Sequence, residues 1–191
     1  MTTTVSPPPT ADRPTASTAS TTDPAPTGWL PAGTAPYLWA AVRLCLGWTF
    51  LWPFLDKTFG LGHETATDGA WINGGSPTNG FLSGASGPFG DLYQSLSGVV
   101  LADWGFMLGL LCIGVALLLG IGTRIAAVSG AVLLVLMWTA SLPPSNNPFM
   151  DDHIIYALVL IGLAHLGAGS TLGFGARWAE LDLVQRHPWL R

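Results

Sequence analysis

Two polar side chains, Arg43 and His165, lie inside long apolar stretches of the sequence. A cation at membrane depth is costly and usually has a partner or faces a wet cavity. Counted along helices from Lys57 and His153, the two residues lie at similar depths, about 21 and about 18 Å. We therefore expect Arg43 and His165 to face one interior cavity. The alternatives are that Arg43 snorkels to the interface and that His165 hydrogen-bonds to a neighbouring helix.

A second group of titratable residues lies at the opposite ends of two apolar stretches. Asp56 and Lys57 end the first stretch, and Asp151-Asp152-His153 precedes the last. One interpretation is that the acids cap the helix that follows and interact favourably with the positive end of its dipole. The other is a carboxylate–imidazole cluster that moves protons or orients a ligand, partly neutralised by Lys57. One His beside two Asp is not a specific metal-ligand spacing, so no metal site is predicted.

The segment after Lys57 is long and apolar enough to fold back over this second group. It contains Trp71 and a Gly74-Gly75 turn. Functional residues are often carried on such loops. We predict a rim on which four residues meet beneath Trp71 and this turn: Asp56, Lys57, Asp152 and His153.

The composition is that of a small integral membrane protein. The chain has 191 residues, of which 49% are hydrophobic and 9% charged, and its mean hydropathy is +0.46. Soluble domains carry about 25% charged residues. A net charge of −4 disfavours a nucleic-acid partner, and two cysteines without a CxxC motif indicate neither a zinc site nor a disulfide scaffold. No nucleotide-binding loop or nucleophile motif is present, so no catalytic residue is assigned.

Four apolar runs predict an all-α bundle of four transmembrane helices, since each is about the length that crosses a bilayer. These runs are Tyr37–Leu55, Trp104–Ile121, Ile125–Leu142 and Ile154–Leu172. A long extracytoplasmic loop, Thr58–Asp103, joins helices one and two. The expected organisation is a disordered Thr/Pro/Ser/Ala-rich tail over 1–34, a membrane domain over 35–175 and a short interfacial helical segment over 176–191.

The distribution of cations predicts the orientation in the bilayer. Five arginines, Arg13, Arg124, Arg177, Arg186 and Arg191, fall on the side of both termini, whereas the other side has only Lys57. The positive-inside rule then places both termini in the cytoplasm. The opposite face carries seven acids, and such a surface repels anions.

Several stretches together resemble the DoxX/DoxD family of four-helix membrane proteins. The resemblance covers about residues 35–175 and rests on 43–57 (RLCLGWTFLWPFLDK), 70–77 (AWINGGSP), 120–124 (GIGTR) and 147–156 (NPFMDDHIIY). It implies a multi-pass protein of a bacterial or archaeal plasma membrane. Some relatives are subunits of a thiosulfate:quinone oxidoreductase, and others are accessory proteins of redox or oxidative-stress complexes.

Two functional hypotheses follow from the resemblance. One is a subunit of a redox complex that binds quinone without a covalent cofactor, with Arg43 and His165 donating to the quinone carbonyls. On this hypothesis, Arg43→Leu is expected to be at least as stable as the native chain. The other is a non-catalytic accessory protein whose glycine-rich helix faces and long loop pack on a partner subunit or a second copy. Whether the chain is an enzyme is left open, and the anionic face disfavours thiosulfate as its ligand.

Overall fold

A computed structural model describes residues 1–2, 31 and 33–191. The segment 1–34, predicted from its composition to be disordered, falls almost entirely outside these described residues. Gly33–Arg191 forms one compact unit. Within the described ranges the regular secondary structure is entirely helical, as the composition predicts.

Three helices are long and apolar enough to cross a membrane: Ala35–Phe59, Val100–Leu119 and Thr123–Ala140. The α-helices in chain order are α1 (Ala35–Phe59), α2 (Asn79–Ser83), α3 (Gly90–Ser95), α4 (Val100–Leu119), α5 (Thr123–Ala140), α6 (Asp152–His165), α7 (Gly175–Ala179) and α8 (Asp182–Arg186). Helix α6 is apolar but has 14 residues, which span about 21 Å. The structure therefore confirms a helical protein with three membrane-length helices.

The four longest helices form a bundle in which α1 packs beside α4 and α5 beside α6, with further contacts of α4 on α5 and of α1 on α6. Its core includes Phe50, Met107, Leu117 and Leu160, which are at most 3% exposed. The ends of neighbouring helices alternate. One end of the bundle is formed by residues 119–124 and 165–191 and is called the arginine-rich end. The other, formed by residues 56–99 and 141–153, is called the loop end.

Glycines let these helices approach closely. A Cβ added at Gly114 on α4 would lie 2.8 Å from the main-chain nitrogen of Leu51 on α1. At Gly130 on α5 it would lie 2.8 Å from the side chain of Leu160 on α6. These two glycines therefore serve contacts within the bundle rather than contacts with a partner chain.

The segment between α1 and α4 has local structure and folds back onto the helices, as its apolar residues predict. It contains α2, α3 and three short 3₁₀ turns. The Trp71 ring packs edge-on against Trp104 with centroids 4.7 Å apart. The Tyr93 hydroxyl donates to the main-chain oxygen of Leu136, 3.0 Å away.

Helix α6 ends seven residues before the predicted boundary at Leu172. The chain turns at Gly167, whose φ of 62° is in the left-handed region. Beyond this turn, main-chain oxygens accept hydrogen bonds from the side chain of Arg43 on α1. The C-terminal segment differs as well. The predicted helical stretch is divided into α7 and α8, with Glu180 and Leu181 between them. Val184 is fully buried, whereas Leu181 is 49% exposed.

Candidate functional site

Arg43 is fully buried on α1 and binds only main-chain oxygens. Its Nε donates to Ala168 at 3.1 Å, and its Nη2 donates to Thr171 at 3.1 Å and Leu172 at 2.9 Å. Its Nη1 donates to Leu117 and Leu118. The guanidinium thus caps the negative C-terminal end of α4 and satisfies the irregular backbone after α6. Buried main-chain oxygens outside regular helix need such hydrogen-bond partners.

The structure does not bring His165 into contact with Arg43. His165 is exposed at the end of α6 and lines a different cavity at the arginine-rich end. All three nitrogens of Arg43 are already occupied by carbonyls. The two residues therefore do not share an interior cavity, and Arg43 has a structural role in this fold.

Asp56 also acts on the backbone. It is 2% exposed and accepts three main-chain N–H bonds, from His63 at 3.2 Å, Glu64 at 3.1 Å and Thr65 at 2.9 Å. The carboxylate holds the turn that follows α1. It does not line the cavity formed by the other predicted rim residues.

Lys57, Asp152 and His153 do meet at the loop end. They line a cavity of about 190 Å³ between α1, α4, α5 and α6, together with Glu64 and Tyr156. The Lys57 ammonium lies 3.6 Å from the Glu64 carboxylate. The structure thus places these three side chains, from the ends of the first and last apolar runs, around one cavity. Trp71 and the Gly74-Gly75 turn do not line the cavity.

His153 is oriented by Asp151, which caps α6. One Asp151 oxygen accepts the His153 main-chain N–H at 3.1 Å, and the other lies 2.7 Å from His153 Nδ1. Asp152 lies 3.7 Å from the same nitrogen. The N-cap interpretation is thus confirmed for Asp151. Possible ligand atoms of the three residues lie within 4.8 Å of one another, and the hydrogen bonds within the group join Asp151 to His153.

An apolar cavity adjoins the polar one. It has a volume of about 520 Å³ and lies between α4, α5 and the segment holding α2 and α3. The two cavities share Lys57, Glu64, Phe106 and Met137, and together they are called the Lys57 crevice. The walls of the larger part are mostly apolar and include Phe81, Leu96, Leu133 and Leu136. The crevice therefore has a charged part and an apolar part, which are the two parts needed to hold an amphiphilic molecule.

A further buried acid, Asp103 on α4, was not predicted as a site residue. It is 6% exposed, and one of its oxygens accepts bonds from Ser76 Oγ at 3.0 Å, Thr78 N at 3.0 Å and Thr78 Oγ1 at 2.7 Å. These bonds anchor the loop wall of the Lys57 crevice, because Thr78 lines it. A single acid in the first turn of an otherwise apolar helix was the available sequence signal.

Comparison of the chain with models of protein families, with curated proteins and with solved structures finds no match.

Proposed function

We propose that this chain is a four-span membrane subunit of a redox complex and that it binds a quinone in the Lys57 crevice. The observation that carries the proposal is that a charged cavity of about 190 Å³ and an apolar one of about 520 Å³ lie side by side and have four lining residues in common. Together they fall within the range of about 300–1,000 Å³ found for small-molecule sites. A quinone has two carbonyl acceptors on an apolar ring and an isoprenoid tail, which matches this division.

The polar end supplies the groups that would hold the ring. Lys57, His153 and Tyr156 are hydrogen-bond donors lining the smaller cavity. Asp151 fixes the imidazole orientation of His153 through its Nδ1, 2.7 Å away, and leaves Nε2 for a ligand. Lys57 is already paired with Glu64, so the crevice favours a neutral quinone over a dianion such as thiosulfate. The role of this chain is to bind and orient quinone, with electrons supplied by a partner subunit.

The fourth span is part of the proposal. Helix α6 is shorter than the roughly 30 Å hydrocarbon core, but residues 166–174 continue beyond it and are fixed by Arg43. The apolar helix and this satisfied irregular segment together form the fourth crossing. The resemblance to DoxX/DoxD proteins supports the same arrangement in a bacterial or archaeal plasma membrane, with cytoplasmic termini and an extracytoplasmic loop end.

Quinone titration of the purified protein tests the function. In mild detergent, quenching of tryptophan fluorescence by a short-chain benzoquinone or naphthoquinone should be saturable. His153→Gln removes the oriented imidazole and should raise Kd about tenfold, the equivalent of one lost hydrogen bond. Asp68→Asn is the matched control, because Asp68 is exposed and its carboxylate accepts only from the adjacent Gly69 N–H. Absence of saturable quenching, or equal Kd values for both variants, would refute quinone binding in the crevice.

The alternative is a non-catalytic accessory protein, and one observation favours it. Large apolar side chains remain exposed on the loop segment: Ile72 at 63%, Leu92 at 59%, Phe89 at 44% and Phe81 at 42%. Exposed apolar patches often mark contacts with proteins or membranes. If the chain co-purifies with a redox enzyme but binds no quinone, this second function is the correct one.

A further inference from the structure

A second cavity lies at the arginine-rich end and is separate from the Lys57 crevice. It has a volume of about 240 Å³ and is enclosed by the start of α5, the end of α6 and α7. Arg124, His165 and Arg191 line it, together with Thr123 and Ser170. No acidic side chain is among its lining residues. This cavity, called the Arg124 pocket, is thus lined by two arginines and a histidine without an opposing acidic side chain.

The side chains, rather than the helix terminus, supply the free donors of the Arg124 pocket. The Arg124 main-chain N–H already donates to the Arg191 oxygen at 2.7 Å. One guanidinium nitrogen, Nη1, donates to the Pro188 oxygen at 2.9 Å, which fixes the side chain and leaves its other N–H groups available. The His165 side chain makes no hydrogen bond with any residue that the structure describes. An anion would therefore meet donors not satisfied by this chain.

An apolar groove adjoins the Arg124 pocket. It has a volume of about 230 Å³ and lies along α4 and α5, with Ile113, Ile121, Ile125 and Ala126 among its walls. Trp178 lines both the groove and the pocket. Its indole N–H donates to the Leu190 oxygen at 2.7 Å, which fixes the ring between them. A charged cavity and an apolar groove thus meet at one ordered aromatic side chain.

We propose that the Arg124 pocket and its groove bind an anionic phospholipid. The phosphate lies against Arg124, Arg191 and His165, and one acyl chain follows the groove past Trp178. Both cavities lie where α4 ends and α5 begins, the depth at which membrane-spanning helices reach the head groups. Basic pockets between transmembrane helices bind anionic head groups in this way. The site is independent of the quinone proposal, because the two cavities share no lining residue with the Lys57 crevice.

Lipid retention measures this binding. The protein is reconstituted in nanodiscs of equal parts phosphatidylglycerol and phosphatidylcholine, extracted in mild detergent and weighed with its bound lipid by native mass spectrometry. The native chain should retain phosphatidylglycerol preferentially. Arg124→Gln should lower that preference about fivefold, the contribution of one cation near an anionic lipid. Arg177→Gln is the matched control, since Arg177 is an exposed arginine on α7 outside the pocket, and it should retain the native preference.

A second pair of variants keeps the test valid if Arg124→Gln disturbs the fold. Ser129→Phe fills the groove, because Ser129 lines it and its hydroxyl bonds only to its own helix. Val132→Phe places the same ring at an exposed position on α5 outside the groove. Loss of retained lipid in Ser129→Phe but not in Val132→Phe supports the site.

Three results would overturn the lipid proposal. One is equal retention of the two lipids by the native chain. Another is an unchanged preference in both Arg124→Gln and Ser129→Phe. The third is complete displacement of phosphatidylglycerol by millimolar inorganic phosphate, which would assign the pocket to a free anion instead.

Discussion

Arg43 on α1 donates from Nε to the main-chain oxygen of Ala168, 3.1 Å away and 125 positions later in the sequence. This hydrogen bond joins α1, the first helix of the bundle, to the segment that follows α6, the last helix of the bundle. The other guanidinium nitrogens extend the same contact to Leu172 and to Leu118 on α4. One side chain therefore joins α1, the end of α4 and the irregular segment after α6.

Arg43→Leu should strongly destabilise the protein, which reverses the expectation that removal of a buried cation is neutral or favourable. Each buried carbonyl left without a donor costs about 1–3 kcal/mol, so we expect a total loss of at least about 3 kcal/mol. Arg43→Lys keeps the positive charge but lacks the planar guanidinium, so its stability should lie between those of the native chain and of Arg43→Leu. Thermal unfolding in detergent measures this order. An Arg43→Leu variant as stable as the native chain would contradict the structural role assigned to Arg43.

Asp56→Asn should loosen the turn after α1. The carboxylate accepts from His63, Glu64 and Thr65, and a neutral amide offers one acceptor atom instead of two. Hydrogen exchange at the three amides should rise about tenfold, corresponding to about 1.4 kcal/mol of lost local stability. Asp68→Asn is the control and should leave exchange at these positions unchanged. Equal exchange in both variants would show that Asp56 does not hold the turn.

Gly114→Ala should separate α1 from α4. The new methyl group would lie 2.8 Å from the Leu51 nitrogen and 3.0 Å from its Cα, and backbone cannot move aside as a flexible side chain can. We expect a loss of about 1–3 kcal/mol, the usual cost of overpacking. Gly162→Ala on α6 has no atom within 4 Å of the new group. The free energy of unfolding of Gly162→Ala should rise by up to about 1 kcal/mol because alanine has the higher helix propensity. Denaturant unfolding compares the two variants, and a higher stability of Gly114→Ala would refute the close contact.

The number of crossings can be counted from two labelled positions. Asp68→Cys and Gln185→Cys are made separately in a chain in which Cys45 and Cys112 are replaced by serine. With four crossings the two positions lie on opposite sides, so an impermeant thiol reagent should label position 68 and not position 185 in intact cells. With three crossings both positions lie on one side. Labelling of both positions would contradict the proposed fourth span, and labelling of position 185 alone would contradict the orientation of the termini.

Hydropathy predicted the helices of the bundle better than their ends or their polar contacts. The long runs reappear as α1, α4 and α5 because apolar length alone determines a candidate span. The predicted fourth helix, Ile154–Leu172, extends beyond the observed end of α6 at His165. The oxygens that Arg43 binds after α6 are main-chain atoms, which every residue type has, so the residue types do not indicate where the helix ends. For the same reason, the distant backbone partners of Arg43 could not be read from the sequence.

The candidate site was predicted in part. Lys57 and His153 were placed together from their equal depth at the ends of antiparallel helices, and they line one cavity. Asp56 was placed with them by adjacency, but its side chain turns to the loop backbone. The apolar part of the crevice depends on how α2 and α3 fold back against α4 and α5. Such long-range packing has no local sequence signal.

The Lys57 crevice is tested most directly by filling its apolar part and measuring quinone affinity. Gly105 on α4 lines the crevice, and a Cβ added there meets no atom within 4 Å. Gly162 on α6 is equally open but does not line it. Titration of Gly105→Leu and Gly162→Leu with the same short-chain quinone compares one added side chain inside and outside the crevice. We predict at least a tenfold higher Kd for Gly105→Leu alone, about 1.4 kcal/mol, whereas equal, native-like Kd values for both variants would contradict quinone binding at this site.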